Sequence, residues 1–255
     1  MTKRTATEAI PFLITRPAGK ADNLLATLDE SGIAYLYQPL ITTAQMALKP
    51  QDQQFLQHAD MLVFVSVSAV SCLQNQTDAA LLNAPLFAVG QTTASALQRW
   101  LAREVIVPED QRSEGLLQLP QLQQVAGKQI VVVRGNAGRE LIKQGLVARG
   151  ATVRYVQSYK RVPLPLDGAL LCQQWQLAGI RCIVATSNEI LQQLFSVISA
   201  GHHHWLQQCD WVLVSPRMQD SALALGIAAE RITLADNAND SALLAAISQL
   251  KREYQ

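Results

Sequence analysis

The stretch VVVRGNAGRE, residues 131–140, joins a β-branched run to an Arg, two glycines and the beginning of a helix-like pattern. A strand that ends in a small-residue turn and opens a helix is typical of anion-binding turns in α/β proteins. The spacing Gly135-x-x-Gly138 matches neither GxGxxG nor a Walker A loop, which lowers the case for a nucleotide. The stretch therefore predicts either an anion-binding turn or a tight turn with only a structural role. It does not identify the anion.

This stretch is one half of an internal repeat. Residues 12–37, FLITRPAGKADNLLATLDESGIAYLY, align without a gap with residues 130–155, IVVVRGNAGRELIKQGLVARGATVRY. The alignment pairs Arg16 with Arg134, Leu28 with Leu146, Gly32 with Gly150, and Tyr37 with Tyr155. In each copy a strand ends at an Arg, and a Gly closes the following helix in a left-handed cap. The copies therefore predict the same strand–turn–helix unit twice.

Three further units recur in the same order. They place Ser66 opposite Ser187, Gly90 near Ser215, and Ser113 opposite Asp240. Ser113 and Asp240 are expected to be helix N-caps. The paired segments are 62–73 with 183–194, 86–97 with 211–223, and 105–119 with 232–246. Four units in one order, each present twice, indicate an internal duplication. The sequence thus predicts two similar domains.

Short apolar runs alternate with segments of helical periodicity along the whole chain. The predicted strands are Phe12–Thr15, Met61–Val65, Leu86–Val89, Val105–Val107, Ile130–Val133, Thr152–Val156, Cys182–Ala185, Trp211–Val214 and Ile232–Ala235. This alternation predicts an α/β class with doubly wound parallel sheets. The domain boundary stays open: a tandem division would fall near residues 121–127, whereas a crossed division would join the first unit to the last three. The extended segments 38–45 and 157–165 are candidate linkers.

Composition excludes several classes of function. The 255 residues carry 21 Lys+Arg against 20 Asp+Glu, so the net charge of +1 predicts no nucleic-acid or anionic-membrane partner. No apolar run is long enough for a membrane span, and no signal peptide is evident. The four cysteines, at positions 72, 172, 182 and 209, form no CxxC pair, which indicates buried thiols in a reducing cytoplasm.

The carboxyl ends of the predicted strands bear small, hydroxyl or cationic residues, each at a helix start whose amides and dipole favour anions. These candidate anchors are Arg16, Ser66, Gly90, Arg134, Gly135, Asn136, Thr186, Ser187 and Ser215. Two such domains facing one another would suit a ligand with several separated negative charges. Tyr159, after the strand that closes the second copy, is singled out by its position at the start of a candidate linker.

Other chemistries are disfavoured. The run GHHHW, residues 201–205, holds three of the four histidines, but consecutive residues cannot converge on one metal ion and the run predicts a polar surface loop. No Ser–His, Cys–His or GxSxG arrangement is visible. No metal site is expected, and any catalysis is expected to use hydroxyls, backbone amides and arginines.

The order of motifs resembles the bacterial uroporphyrinogen-III synthases of haem biosynthesis, from Phe12 to about Leu250. The motifs are LITRP, AVGQTTASAL, VVVRGNAGRE, SYKR, VATSNEILQQL and ADNANDSALLAAI. The resemblance implies two flavodoxin-like domains joined by a two-stranded linker in the crossed arrangement, residues 1–40 with 165–255 and an inserted domain of residues 42–160. Residues 1–10 have no counterpart in the family and are expected to form a frayed tail.

The resemblance also implies a reaction. A cyclising hydro-lyase would convert hydroxymethylbilane, a linear tetrapyrrole with eight carboxylates, into uroporphyrinogen III with loss of water and inversion of ring D. An azafulvene and a spiro compound would be intermediates, and no cofactor would be required. A cytoplasmic monomer is expected, with transient contact to the preceding pathway enzyme left open.

Carried over by position, Tyr159 is the candidate acid that assists departure of the hydroxyl. The implied substrate contacts are Arg16, Ser66, Gly90, Thr92, Thr93, Asn136, Thr186, Ser187 and Ser215. The stretch SPRMQDSAL, residues 215–223, departs from the family pattern. Arg217 and Met218 stand there at the positions that correspond to Thr92 and Thr93 in the first copy, so the pair of hydroxyls is missing. The alternatives are a two-lobed small-ligand binding protein or sensor, and a nucleotide-binding regulatory module, which the missing loop signatures disfavour.

Overall fold

A computed structural model describes residues 11–254, which contain eleven strands and eleven α-helices. The strands are β1 (Phe12–Ile14), β2 (Tyr35–Tyr37), β3 (Ile41–Gln45), β4 (Met61–Phe64), β5 (Leu86–Ala88), β6 (Val105–Ile106), β7 (Gln129–Gly135), β8 (Thr152–Pro163), β9 (Cys182–Val184), β10 (Asp210–Leu213) and β11 (Ile232–Leu234). The helices are α1 (Asp22–Glu30), α2 (Pro50–Gln57), α3 (Val67–Gln74), α4 (Gln91–Leu101), α5 (Ser113–Gln118), α6 (Leu141–Ala148), α7 (Gly168–Leu177), α8 (Asn188–Val197), α9 (His203–Gln208), α10 (Pro216–Ala224) and α11 (Asp240–Glu253).

Contacts divide the chain into two compact units. Unit 1 contains the chain up to Thr42 together with everything from Pro163 onward, and unit 2 contains Thr43–Val162. The chain therefore leaves unit 1 and returns to it. Strands β3 and β8 are neighbours in one sheet and span the two segments where the chain passes between units.

The sheet of unit 1 has the strand order β11-β10-β9-β1-β2, and every pair is parallel. Counted within the unit, this is the flavodoxin-like order 2-1-3-4-5. Successive residues of β1 face opposite sides: Leu13 packs in one buried cluster, and Phe12 and Ile14 in the other. Burial on both faces explains why this strand is a continuous apolar run.

The sheet of unit 2 has the order β3-β8-β7-β4-β5-β6. Without the edge strand β3, the remaining five strands have the same spatial arrangement as in unit 1. Strand β7 corresponds to β1, and β8 to β2. On the other side of β7, the strands β4, β5 and β6 correspond to β9, β10 and β11. The Val131–Val133 run again alternates between two buried clusters. The duplication and the doubly wound class predicted from the sequence are confirmed.

All nine predicted strands are present. Gly32 and Gly150 follow their helices with φ of 59° and 83°, the left-handed conformation predicted for both. Two short strands, β2 and β3, were not among the predicted nine, and β8 continues seven residues beyond the predicted Val156.

Two local predictions were wrong. The run GHHHW is not a loop: it lies in a 3₁₀ turn and in α9, and the Nε2 atom of His203 lies 2.9 Å from the carbonyls of both Phe195 and Ile198. Ser113 and Asp240 are the first residues of their helices rather than N-caps, and the preceding Arg112 and Asn239 have the N-cap positions. The predicted tail, residues 1–10, lies outside the described residues.

Candidate functional site

Four strand ends are built in the same way. Ser66, Gly90, Ser187 and Ser215 follow β4, β5, β9 and β10 and are the N-caps of α3, α4, α8 and α10, with φ between −167° and −146° and ψ between 153° and 162°. Each serine oxygen accepts an amide hydrogen from the third helical residue, at 3.2–3.3 Å. At α3 the first two helical amides, and at α8 the first, have no partner inside their helices, so they are available to an anion. Helix α10 offers fewer, because its first residue, Pro216, has no amide hydrogen.

The turn at α4 differs from the other three. Gly90 has no side chain to cap the helix, and the Oε1 atom of Gln111 accepts the amide of Gln91 at 2.8 Å. A Cβ at Gly90 would lie 3.1 Å from the same Gln111 oxygen. Thr92 is exposed and Thr93 is buried. Gln111 therefore covers one of the amides predicted to face a ligand, and sequence reasoning missed it because it comes from a loop twenty residues away.

Tyr159 lies in β8 with only 7% of its surface exposed, and its hydroxyl is 3.1 Å from the Oγ of Ser66. The ring lies against Gly135, where a Cβ would come within 2.8 Å of two ring carbons. The amide of Asn136 donates to the Tyr159 carbonyl at 3.0 Å, next to a register shift between Arg134 and Gly135. Gly135 and Asn136 thus position Tyr159 beside the serine.

Arg134 is buried with 6% exposure and has partners within the chain. Its guanidinium donates to the Glu140 carboxylate at 3.0 Å and to the Arg139 carbonyl at 3.2 Å, and lies 4.4 Å from the centre of the Tyr155 ring. The Tyr155 hydroxyl also donates to Glu140, and burial, followed by this hydrogen bond, raises the pKa of Tyr155. The predicted anion anchor Arg134 therefore holds its own turn together.

Arg16, the counterpart of Arg134, also has internal partners. Its guanidinium pairs with Asp240 at the start of α11 and donates to the Ala238 carbonyl at 3.3 Å. The pairing ties the end of β1 to the beginning of α11. Sequence reasoning did not identify either acidic partner, since Asp240 lies more than two hundred residues away and Glu140 was not considered.

Seven of the predicted site residues fall into two groups, one in each unit, and Arg16, Gly90, Thr92, Thr93 and Arg134 belong to neither. In unit 2 the structure brings Ser66, Gly135, Asn136 and Tyr159 together. In unit 1, Thr186, Ser187 and Ser215 lie half-buried at two adjacent strand ends, and Arg217 is exposed in the first turn of α10. What each group offers chemically is hydroxyls and helix amides.

Residues 11–254 contain no group of three His, Cys, Asp or Glu side chains placed to hold a metal ion. None of the helices in this range has the length and apolar character needed to cross a bilayer.

Comparison with known proteins gives consistent matches. The family model described as uroporphyrinogen-III synthase HemD matches residues 22–245. The chain is 39% identical to the uroporphyrinogen-III synthase of Escherichia coli K12 and 36% identical to that of Salmonella typhimurium LT2, in each case over 92% of this chain and 99% of the relative. A solved uroporphyrinogen-III synthetase from Helicobacter pylori, 15% identical, superposes with a TM-score of 0.61 and covers 96% of this chain and 99% of its own. That last likeness concerns the fold alone.

Proposed function

The chain belongs to the uroporphyrinogen-III synthase family, lyases of tetrapyrrole biosynthesis, and we propose that it cyclises hydroxymethylbilane to uroporphyrinogen III with inversion of ring D. The substrate loses its terminal hydroxyl as water and becomes an azafulvene. Ring D attacks the azafulvene through its substituted carbon, and the resulting spiro compound fragments and recloses with ring D inverted. A non-catalytic two-lobed binding protein is not favoured, because the family model and the curated relatives are synthases.

One observation supports a catalytic role for Tyr159: its buried hydroxyl shares a hydrogen bond with Ser66 at a strand end of the unit 2 sheet. The Ser66 oxygen already accepts the Ala69 amide, so Ser66 can in turn donate to the phenolic oxygen and leave the Tyr159 proton directed to a ligand. In this proposal Tyr159 donates to the departing hydroxyl, an assistance typically worth about 10²–10⁴-fold in rate.

The substrate carboxylates are held, in this proposal, by the helix N-termini at Ser66, Ser187 and Ser215, with Thr186 beside them. An anion at such an N-terminus is stabilised by about 0.3–1 kcal/mol per site when exposed. Arg16 and Arg134 act mainly by holding their turns, since each guanidinium already has a carboxylate partner. Gly90, Thr92 and Thr93 remain proposed contacts at α4, where use of the Gln91 amide requires Gln111 to move aside and the Thr92 side chain is already exposed.

The two compact units are proposed to be the two domains of the enzyme, with the crossed connectivity that the family resemblance implies. We propose further that the enzyme acts as a monomer in the cytoplasm, without a cofactor, and that any contact with the preceding pathway enzyme is transient. Light scattering of the purified protein, alone and with that enzyme, tests the monomer and the contact.

The test of the reaction is the isomer formed. Purified protein is supplied with hydroxymethylbilane, the product is oxidised, and the type I and type III porphyrins are separated. We expect type III from the wild-type protein, because unassisted closure gives type I. Type I alone would refute the proposed function.

The same assay tests Tyr159. We expect Tyr159→Phe to lower kcat by about 10²-fold or more. Tyr155→Phe, which removes a hydroxyl from the same strand, is expected to retain kcat within about twofold, because that hydroxyl binds Glu140. An unchanged kcat for Tyr159→Phe removes Tyr159 from the mechanism.

A further inference from the structure

The hydroxyl of Tyr37, the last residue of β2, is buried and has no hydrogen-bond partner in the described residues. The ring packs against the apolar cluster beneath α1 and α11, so the hydroxyl cannot turn freely to solvent. Buried hydroxyls nearly always have a partner. An unpaired one at the carboxyl end of a parallel sheet points to a group that binds there.

The internal repeat shows what kind of group fits. Tyr37 corresponds to Tyr155, Arg16 to Arg134, and Asp22 to Glu140. In unit 2 these three positions form a closed set, in which the Glu140 carboxylate accepts the Tyr155 hydroxyl at 2.9 Å and pairs with Arg134 at 3.0 Å. A carboxylate is therefore the natural partner of the tyrosine at this place in the fold.

Within residues 11–254, unit 1 supplies no carboxylate that accepts the Tyr37 hydroxyl. Asp22 is one methylene shorter than Glu140 and is exposed, and Arg16 pairs with Asp240 instead. Asp22 and Arg16 nevertheless lie near the phenol: burial raises the pKa of Tyr37, Asp22 raises it further, and Arg16 lowers it. The helix α1 also begins at this point without a side-chain cap, so its first amides lack a side-chain partner.

We propose that a carboxylate of the bound tetrapyrrole occupies in unit 1 the place that the Glu140 side chain occupies in unit 2. It accepts a hydrogen bond from the Tyr37 hydroxyl once the side chains that cover this hydroxyl in the unliganded protein move aside, and it lies beside Arg16 and the first amides of α1. Unit 2 has no equivalent site, because Glu140 fills it. This inference rests on the proposed function and adds a binding residue to it.

Equilibrium binding of uroporphyrin III, the oxidised product, tests the site without turnover. We expect Tyr37→Phe to raise the Kd about tenfold, since a hydrogen bond to a charged group is lost, and to leave the thermal midpoint unchanged or higher. Tyr155→Phe is the matched control: it breaks a bond within the protein, so it should lower the midpoint and change the Kd less than about twofold.

A second variant keeps the test independent of the tyrosine. Asp22→Glu supplies the missing methylene, so its carboxylate should reach the Tyr37 hydroxyl, compete with the ligand and raise the Kd. The KM for hydroxymethylbilane is measured in parallel and should rise by the same factor at constant kcat. Unchanged Kd and KM in both variants, or a fall in the thermal midpoint of Tyr37→Phe equal to that of Tyr155→Phe, would overturn the proposal. The isomer made by the wild-type protein decides the proposed function separately.

Discussion

The contact between Gly135 and Tyr159 makes a sharp prediction at the level of single residues. A Cβ at position 135 would lie 2.8 Å from two ring carbons of Tyr159, and both backbones are fixed by the hydrogen bond between Asn136 and Tyr159. Gly135→Ala should therefore displace the ring from Ser66, lower kcat as Tyr159→Phe does, and destabilise the fold by about 1–3 kcal/mol. Steady-state kinetics and thermal unfolding measure both effects.

Gly201→Ala is a suitable control, because a Cβ there meets no atom within 4 Å and the residue has no positive φ. It should leave kcat and the thermal midpoint unchanged. If Gly135→Ala retained full kcat, the tyrosine would not need its observed position.

At the residue scale, the sequence showed which positions lie at strand ends but not what their side chains contact. Arg134 was predicted to follow a strand ending at Val133, and it is the last residue but one of β7, which continues to Gly135. Its pairing with Glu140 depends on how the turn closes, and the pairing of Arg16 with Asp240 depends on the connectivity of the sheet. Neither feature can be obtained from local spacing, so a predicted anion anchor proved to have an internal partner.

The repeated N-cap turn supports a prediction at the level of the element. At a helix N-cap, Asp stabilises the helix as well as Ser does, and replacing Ser by Gly lowers the stability by only a few tenths of a kcal/mol. Ser187→Asp should therefore preserve stability but raise the KM about tenfold or more, because its charge repels a carboxylate at the N-terminus of α8.

Ser187→Gly is the matching variant, since Gly90 has the same position at α4 in this chain. If the helix amides provide most of the binding, the KM for this variant should stay within about threefold of the wild-type value. Equal KM values for the Asp and Gly variants would show that α8 does not bind the substrate.

Helices and central strands were predictable because burial on one or both sides leaves a periodic apolar pattern. The missed strand β2 has three residues, all only partly buried, and lies at the edge of its sheet. The extension of β8 and the strand β3 pair with each other and bury few of their side chains, so they were predicted only as extended segments. The run GHHHW was predicted as a loop because its own residues are polar. It is helical in the structure, where the neighbouring Leu206 and Trp211 are fully buried. This burial depends on tertiary packing and cannot be seen in the local sequence.

The connectivity of the whole molecule predicts which parts of the chain fold alone. Residues 41–163 contain every strand of the unit 2 sheet, whereas the segment from Pro163 onward lacks β1 and β2. Strand β1 lies between β9 and β2, and it brings Phe12 and Ile14 into the core. The fragment 41–163 should therefore unfold cooperatively, and the fragment from Pro163 onward should not.

The energies favour this outcome. The segment from Pro163 onward loses the buried side chains of Phe12, Leu13, Ile14, Leu24 and Leu28. Each such side chain contributes about 1.5–3 kcal/mol on burial, so their sum approaches the roughly 5–15 kcal/mol that stabilises a whole domain. Circular dichroism during heating measures cooperativity in both fragments, with the intact chain as reference. A cooperative transition in the C-terminal fragment would mean that its three strands form a stable core without β1, and the crossed domain assignment would then be wrong.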